Sequence, residues 1–120
     1  MALFSSTGTA NYVGVTDVPA ATAWYIDKLG LCKVNVELDD GEDCVALGFA
    51  KGDYALCLGP VGRATDELIA RLNCSNVKKA REFLRSRAVA VSEIQQDSQG
   101  THFFEMRDLE GNAIEICEEP

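Results

Sequence analysis

Thr16-Asp17-Val18-Pro19-Ala20-Ala21-Thr22-Ala23-Trp24-Tyr25-Ile26-Asp27-Lys28-Leu29-Gly30 is the stretch that decides the fold, because its pattern occurs twice in the chain. Asp17 stands where a side-chain oxygen can accept an orphan N–H of a helix start. Pro19 falls in the first turn, where its missing N–H has no intrahelical partner. Ala21, Trp24, Tyr25 and Lys28 recur at helical spacing, and Gly30 supplies the stop. A shift of 59 residues carries Asp17 onto Asn76, Val18 onto Val77, Ala21 onto Ala80 and Trp24 onto Phe83. A second helix is therefore predicted from Ser75-Asn76-Val77, with Ala80, Phe83, Leu84 and Arg87 on one face.

Outside the helices, the same shift lays Gly52-Asp53 on Gly111-Asn112, each a turn dipeptide between apolar, strand-like runs. Each half reads strand, helix, then three strands. Strands are expected at 9–16, 33–38, 43–49 and 54–58, then at 68–73, 89–95, 101–107 and 112–117. No proline- or glycine-rich linker divides the halves. The expected fold is α+β: one domain over residues 1–120, built from two βαβββ modules (9–58 and 68–117) that share a core. Its curved mixed sheet would carry the helices outside.

Length and composition fit this picture. A chain of 120 residues, 47% hydrophobic and 25% charged, can bury a core of its own. The five cysteines are odd in number, show no C-x-x-C spacing and mostly sit in apolar runs, as small hydrophobes do in reduced proteins. With no basic-then-apolar leader and no apolar run of bilayer length, a cytoplasmic protein is expected. A net charge of −8 argues against nucleic acid and anionic membranes as partners.

Two stretches carry a family resemblance. Asn11-Tyr12-Val13-Gly14-Val15-Thr16-Asp17, followed by Trp24-Tyr25 and Lys28-Leu29-Gly30-Leu31, resembles the opening of vicinal oxygen chelate proteins. This class includes glyoxalase I, bleomycin-resistance proteins and extradiol dioxygenases. Arg107-Asp108-Leu109-Glu110-Gly111-Asn112-Ala113-Ile114-Glu115-Ile116 resembles the closing hairpin of that class. The resemblance implies a cup in the sheet, where a divalent metal is held by residues from the first and last strand of each module. It places those positions at Ala10, Leu56, Ile69 and Glu115, and the internal shift pairs Ala10 with Ile69 and Leu56 with Glu115. Only Glu115 has a donor atom, whereas a stable zinc or transition-metal site normally needs about three protein ligands. The metal chemistry of the class is therefore not carried over, and no cofactor is expected.

Chemistry-bearing residues then concentrate in the last hairpin. If its loop runs from Asp108 to Asn112, Glu105 faces Glu115 and His102 faces Glu118. Strand alternation sets His102 on the face opposite Glu105, so it reads as an outer-face group and not a catalytic one. Like charges directly opposite each other are destabilising, and more so when desolvated. Three explanations compete for this glutamate pair: a cation or protonated amine lies between them, one is a shared-proton acid or base, or a register shift puts Glu105 outside. Arg71 could neutralise a glutamate if it faces inward. Tyr12 and Phe103 have the strand parity to line the cup. The Ser5-Ser6-Thr7-Gly8-Thr9 run reads as a flexible lead-in.

The leading expectation is a metal-independent small-molecule binding protein, possessing a ligand site at Glu105, Glu115, Tyr12, Phe103, Leu56, Ile69 and Ala10, favouring cationic ligands and acting as a homodimer. Competing with it are a metal-dependent lyase, isomerase or dioxygenase with atypical ligands around Glu115, and a module kept for partner binding alone.

Overall fold

The computed structural model describes residues 3–7, 11–34, 44–49, 53–60 and 70–119. Both helices start where their caps dictate. Helix α1 (Val18–Leu29) opens with the Asp17 carboxylate accepting the Ala20 N–H at 3.0 Å. Helix α2 (Val77–Ser86) opens with the Asn76 side chain accepting the Lys79 N–H at 3.0 Å. Each cap contributes about 1 kcal/mol. The exits differ. Gly30 ends α1 in the left-handed region at φ 76°, a conformation that costs a residue without a Cβ nothing. After α2 the left-handed residue is Ala88 at φ 64°, and the Val89 N–H returns to the Leu84 carbonyl at 3.0 Å.

The strands form two mixed sheets. In chain order they are β1 (Phe4–Ser5), β2 (Asn11–Val15), β3 (Cys32–Lys33), β4 (Val45–Gly48), β5 (Leu56–Pro60), β6 (Ala70–Cys74), β7 (Gln95–Gln96), β8 (His102–Arg107) and β9 (Ala113–Glu118). One sheet runs β2-β5-β4-β3 and the other β1-β6-β9-β8-β7. Within each, the strand before the helix pairs parallel with the last strand, and the other pairings of the unit are antiparallel. Two βαβββ units are thus present, and the α+β fold with its helices outside the sheets is the one expected.

Three elements differ from expectation. Phe4–Ser5, placed in or beside a flexible lead-in, is instead an edge strand antiparallel to β6. The Phe4 ring holds it there: it is 4% exposed and meets Phe49 at 6.3 Å and Phe83 at 5.9 Å between centroids. The strand expected at 89–95 shrinks to Gln95–Gln96 plus a single bridge from Val91 to Met106. The strand expected at 33–38 is seen as Cys32–Lys33, and positions 35–38 lie outside the described residues.

A further difference concerns register. Leu47 pairs with Leu56 in the first module, and Met106 pairs with Ile114 in the second. Leu47 and Met106 are 59 residues apart, but Leu56 and Ile114 are 58 apart, because the second hairpin connection is one residue shorter. Leu56 therefore corresponds to Ile114, and Glu115 corresponds to Cys57. A slip of one residue in a strand moves a side chain to the other face. Leu56 lies in the core, fully buried, and not on the face that carries Glu115.

One cluster of buried residues draws on both modules, including Val13, Val15, Leu56 and Leu58 from the first and Leu72, Phe104, Ile114 and Ile116 from the second. The helices meet at equivalent residues. Lys28 Nζ donates to the Arg87 carbonyl at 2.9 Å, and Arg87 Nη1 donates to the Asp27 carbonyl at 3.2 Å. Lys28 and Arg87 are themselves 59 apart, so the repeat is also a near-symmetry of packing.

Candidate functional site

Alternation along β8 and β9 sends Phe104, Met106, Ile114 and Ile116 into the core, each fully buried. Phe103, Glu105, Glu115 and Cys117 are left on the opposite face, which Arg71 of β6 shares. Arg71, Glu115 and Glu105 are direct neighbours across three strands. Glu105 thus faces Glu115, and the reading that placed it outside does not hold. His102 is exposed on β8, one residue out of phase with Glu105.

Glu115 is already engaged. Arg71 Nη2 lies 3.0 Å from its Oε1, and the Cys117 thiol donates to the same oxygen at 3.1 Å. Burial pushes the Cys117 thiol up to about 12, with the bond to Glu115 adding to the shift. Burial likewise raises Cys74 to about 11, the Glu118 charge assisting. Both remain thiols near neutrality, which removes them as nucleophiles. Glu105 differs. Its backbone exchanges hydrogen bonds with Ser92, at 2.9 Å to the Ser92 hydroxyl and 2.8 Å from the Ser92 N–H. Its half-buried carboxylate has no partner among the described residues.

The equivalent face of the first module is built of other material. Tyr12 stands where the repeat puts Arg71, and Cys57 where the register puts Glu115. Tyr12 donates to the Pro60 carbonyl at 2.7 Å and lies across Gly59. A Cβ at Gly59 would come within 2.5 Å of the Tyr12 hydroxyl and 2.7 Å of the Cys44 sulfur, so any larger residue would have to push those side chains aside. Cys57 is 6% exposed.

Of the seven residues expected at the site, Glu105, Glu115 and Phe103 share one face of the second module. Tyr12 occupies the corresponding face of the first, Leu56 is in the core, and Ala10 and Ile69 lie outside the described residues. Replacing Leu56 by Cys57 adds a thiol to the four inherited positions. Even so, no three His, Cys, Asp or Glu side chains among the described residues are grouped to hold a metal ion. The one carboxylate of the quartet is bound to a guanidinium and a thiol, so the described residues do not fit a metal centre. Sequence reasoning missed Cys117 as a donor, although it lies two residues beyond Glu115 on the same face.

The turn joining β8 to β9 was also missed as a clasp between modules. Asp108 is 7% exposed and accepts hydrogen bonds from the buried Tyr25 hydroxyl at 2.7 Å, from the Glu110 and Asn112 N–H groups, and from the Asn112 amide. Burial, then the Asp108 charge, raises the Tyr25 phenol far above its ordinary value, so it stays a donor. Glu110 accepts the N–H groups of Thr16 and Asp17 at 2.7 and 3.0 Å and the Thr16 hydroxyl at 3.1 Å. Those two N–H groups hold its carboxyl below the usual glutamate value.

No protein-family model matches the sequence, and no curated protein does. Solved structures do. A member of the glyoxalase/bleomycin resistance protein/dioxygenase superfamily from Sphaerobacter thermophilus is similar at TM-score 0.72 and 20% identity, over 95% of this chain and 98% of that one. TnmS3, an antibiotic-binding protein from a Streptomyces species, is similar at 0.73 and 18%, over 96% and 97%. A lactoylglutathione lyase from Agrobacterium tumefaciens is similar at 0.66 and 17%, over 93% of each chain. The chain has the fold of that superfamily, the vicinal oxygen chelate fold that its sequence resembles. Among the described residues no helix is long and apolar enough to cross a membrane.

Proposed function

We propose that the protein binds small molecules without a metal, using the charged face of its second module, with Glu105 receiving a cationic group of the ligand. The observation that carries this is the half-buried Glu105 carboxylate, without a partner among the described residues, beside a Glu115 already neutralised by Arg71. An unpaired charge in a partly desolvated place is costly, and a cationic group relieves the cost. Phe103 on the same face offers an apolar surface, and aromatic faces attract cations further. An antibiotic-binding protein among the structures of similar fold supports the binding role. On the same reading residues 1–120 form one domain, which the shared core supports, and the chain acts as a cytoplasmic homodimer.

A thermal-shift screen of matched cationic, neutral and anionic compounds tests the proposal. Cations should raise the melting temperature most, and Glu105→Gln should remove the preference while leaving the protein folded. A screen in which anions win would mean that Glu105 is not the recognition element, and about one metal per purified chain, lost on Glu115→Ala, would overturn the reading in favour of a metal-dependent lyase, isomerase or dioxygenase.

A further inference from the structure

We infer that this face selects dipolar ligands, a cationic group seated at Glu105 and an anionic group at Arg71; the inference rests on the binding role proposed above. The pattern lies in one row of side chains across β6, β9 and β8, with Arg71 beside Glu115 and Glu115 beside Glu105. Its charges run positive, negative, negative. The first two close on each other at 3.0 Å and leave Glu105 as the uncompensated end. Arg107, two residues along β8 on the same face, is turned to the hairpin and donates to the Gly111 carbonyl at 3.2 Å.

Arg71 is not used up by its ion pair. Its side chain is 57% exposed, and the contact with Glu115 runs through one guanidinium nitrogen. A guanidinium carries five N–H donors in a planar fork, so others remain for an incoming carboxylate. Neighbouring strands are about 4.8 Å apart, which puts the guanidinium and the Glu105 carboxylate about 5 to 10 Å apart. Phe103 lies on this face of β8, two residues from Glu105, as a half-buried apolar wall. A ring with an ammonium at one end and a carboxylate at the other matches both the spacing and the wall. A simple cation leaves Arg71 unused, and a simple anion meets repulsion from Glu105.

Calorimetry on the intact protein with para-(aminomethyl)benzoate, benzylamine and benzoate tests the inference. The dipolar compound should bind about tenfold more tightly than either singly charged one, the gain expected from one further charge-assisted contact. Glu105→Gln should erase its advantage over benzoate. Arg71→Gln should erase its advantage over benzylamine and, by freeing Glu115, should make benzylamine itself bind more tightly. A variant merely damaged in folding would weaken all three compounds together, and circular dichroism checks for that. Equal binding of benzylamine and the dipolar compound by the unaltered protein, or a preference that survives both replacements, would overturn the inference. If benzylamine binds through Glu105 as tightly as the dipolar compound, the binding role stands and the dipolar selection falls; if binding is indifferent to Glu105, both fall.

Discussion

The two modules share one topology and opposite surfaces. In the first, Tyr12, Cys57 and Gly59 make a face of rings, thiols and bare backbone, with Tyr12 laid over the glycine. In the second, the equivalent positions carry Arg71 and Glu115, with Glu105 beside them. The turns differ in the same manner. At the turn joining β4 to β5, Phe49 stacks on Phe4, which in turn packs edge-on against Phe83 of α2. At the turn joining β8 to β9, Asp108 takes the equivalent place and binds Tyr25 of α1 by hydrogen bonding. Packing onto a shared core constrains the inner faces to be apolar in both modules. The opposite faces of the sheets and the turns carry no such constraint, and there a repeated unit can acquire a role its twin lacks.

The largest effect expected from breaking this comparison lies at Leu56 and Cys57. Leu56→Ala should cost about 2–5 kcal/mol in urea unfolding, as buried leucine truncations do, whereas Cys57→Ala should cost under about 1.5 kcal/mol. The reverse order would mean that the first module pairs in the register of an unbroken 59-residue repeat. A smaller loss is expected at the polar clasp. Asp108→Ala leaves the buried Tyr25 hydroxyl and two turn N–H groups without their acceptor, at about 2–3 kcal/mol. Tyr25→Phe should cost only about 1 kcal/mol, because Asp108 keeps its other donors.

The smallest effect concerns acid. Glu110 is held below its ordinary value of 4.5 in the folded chain by the Thr16 and Asp17 N–H groups. The charged form thus favours folding above that value, and the benefit is lost as pH falls through the lower, folded-state value. Melting curves should show the unaltered protein ahead of Glu110→Gln at neutral pH, the gap closing below pH 4.5. A gap that stays constant with pH would mean that the clasp does not depend on the charge.

Some of this was readable in the chain and some was not. The caps at Asp17 and Asn76 and the stop at Gly30 were readable because the groups involved lie within four residues of one another. The pairing of Glu105 with Glu115 was readable because one short turn sets the register of the hairpin. Phe4–Ser5 was not, since two residues show no periodicity and their partner strand is about seventy positions away.

The sequence by itself determined the repeated βαβββ order, the start of both helices, the end of the first and the last hairpin, all products of local hydrogen bonding and hydrophobic period. Only the tertiary structure decided that the second hairpin is one residue shorter, that Leu56 belongs to the core, and that Arg71 meets Glu115 and leaves Glu105 alone. Those outcomes turn on which strands lie side by side and on a count of loop residues. With a side-chain period of two, a single residue in a loop decides whether a side chain meets the core or the ligand face.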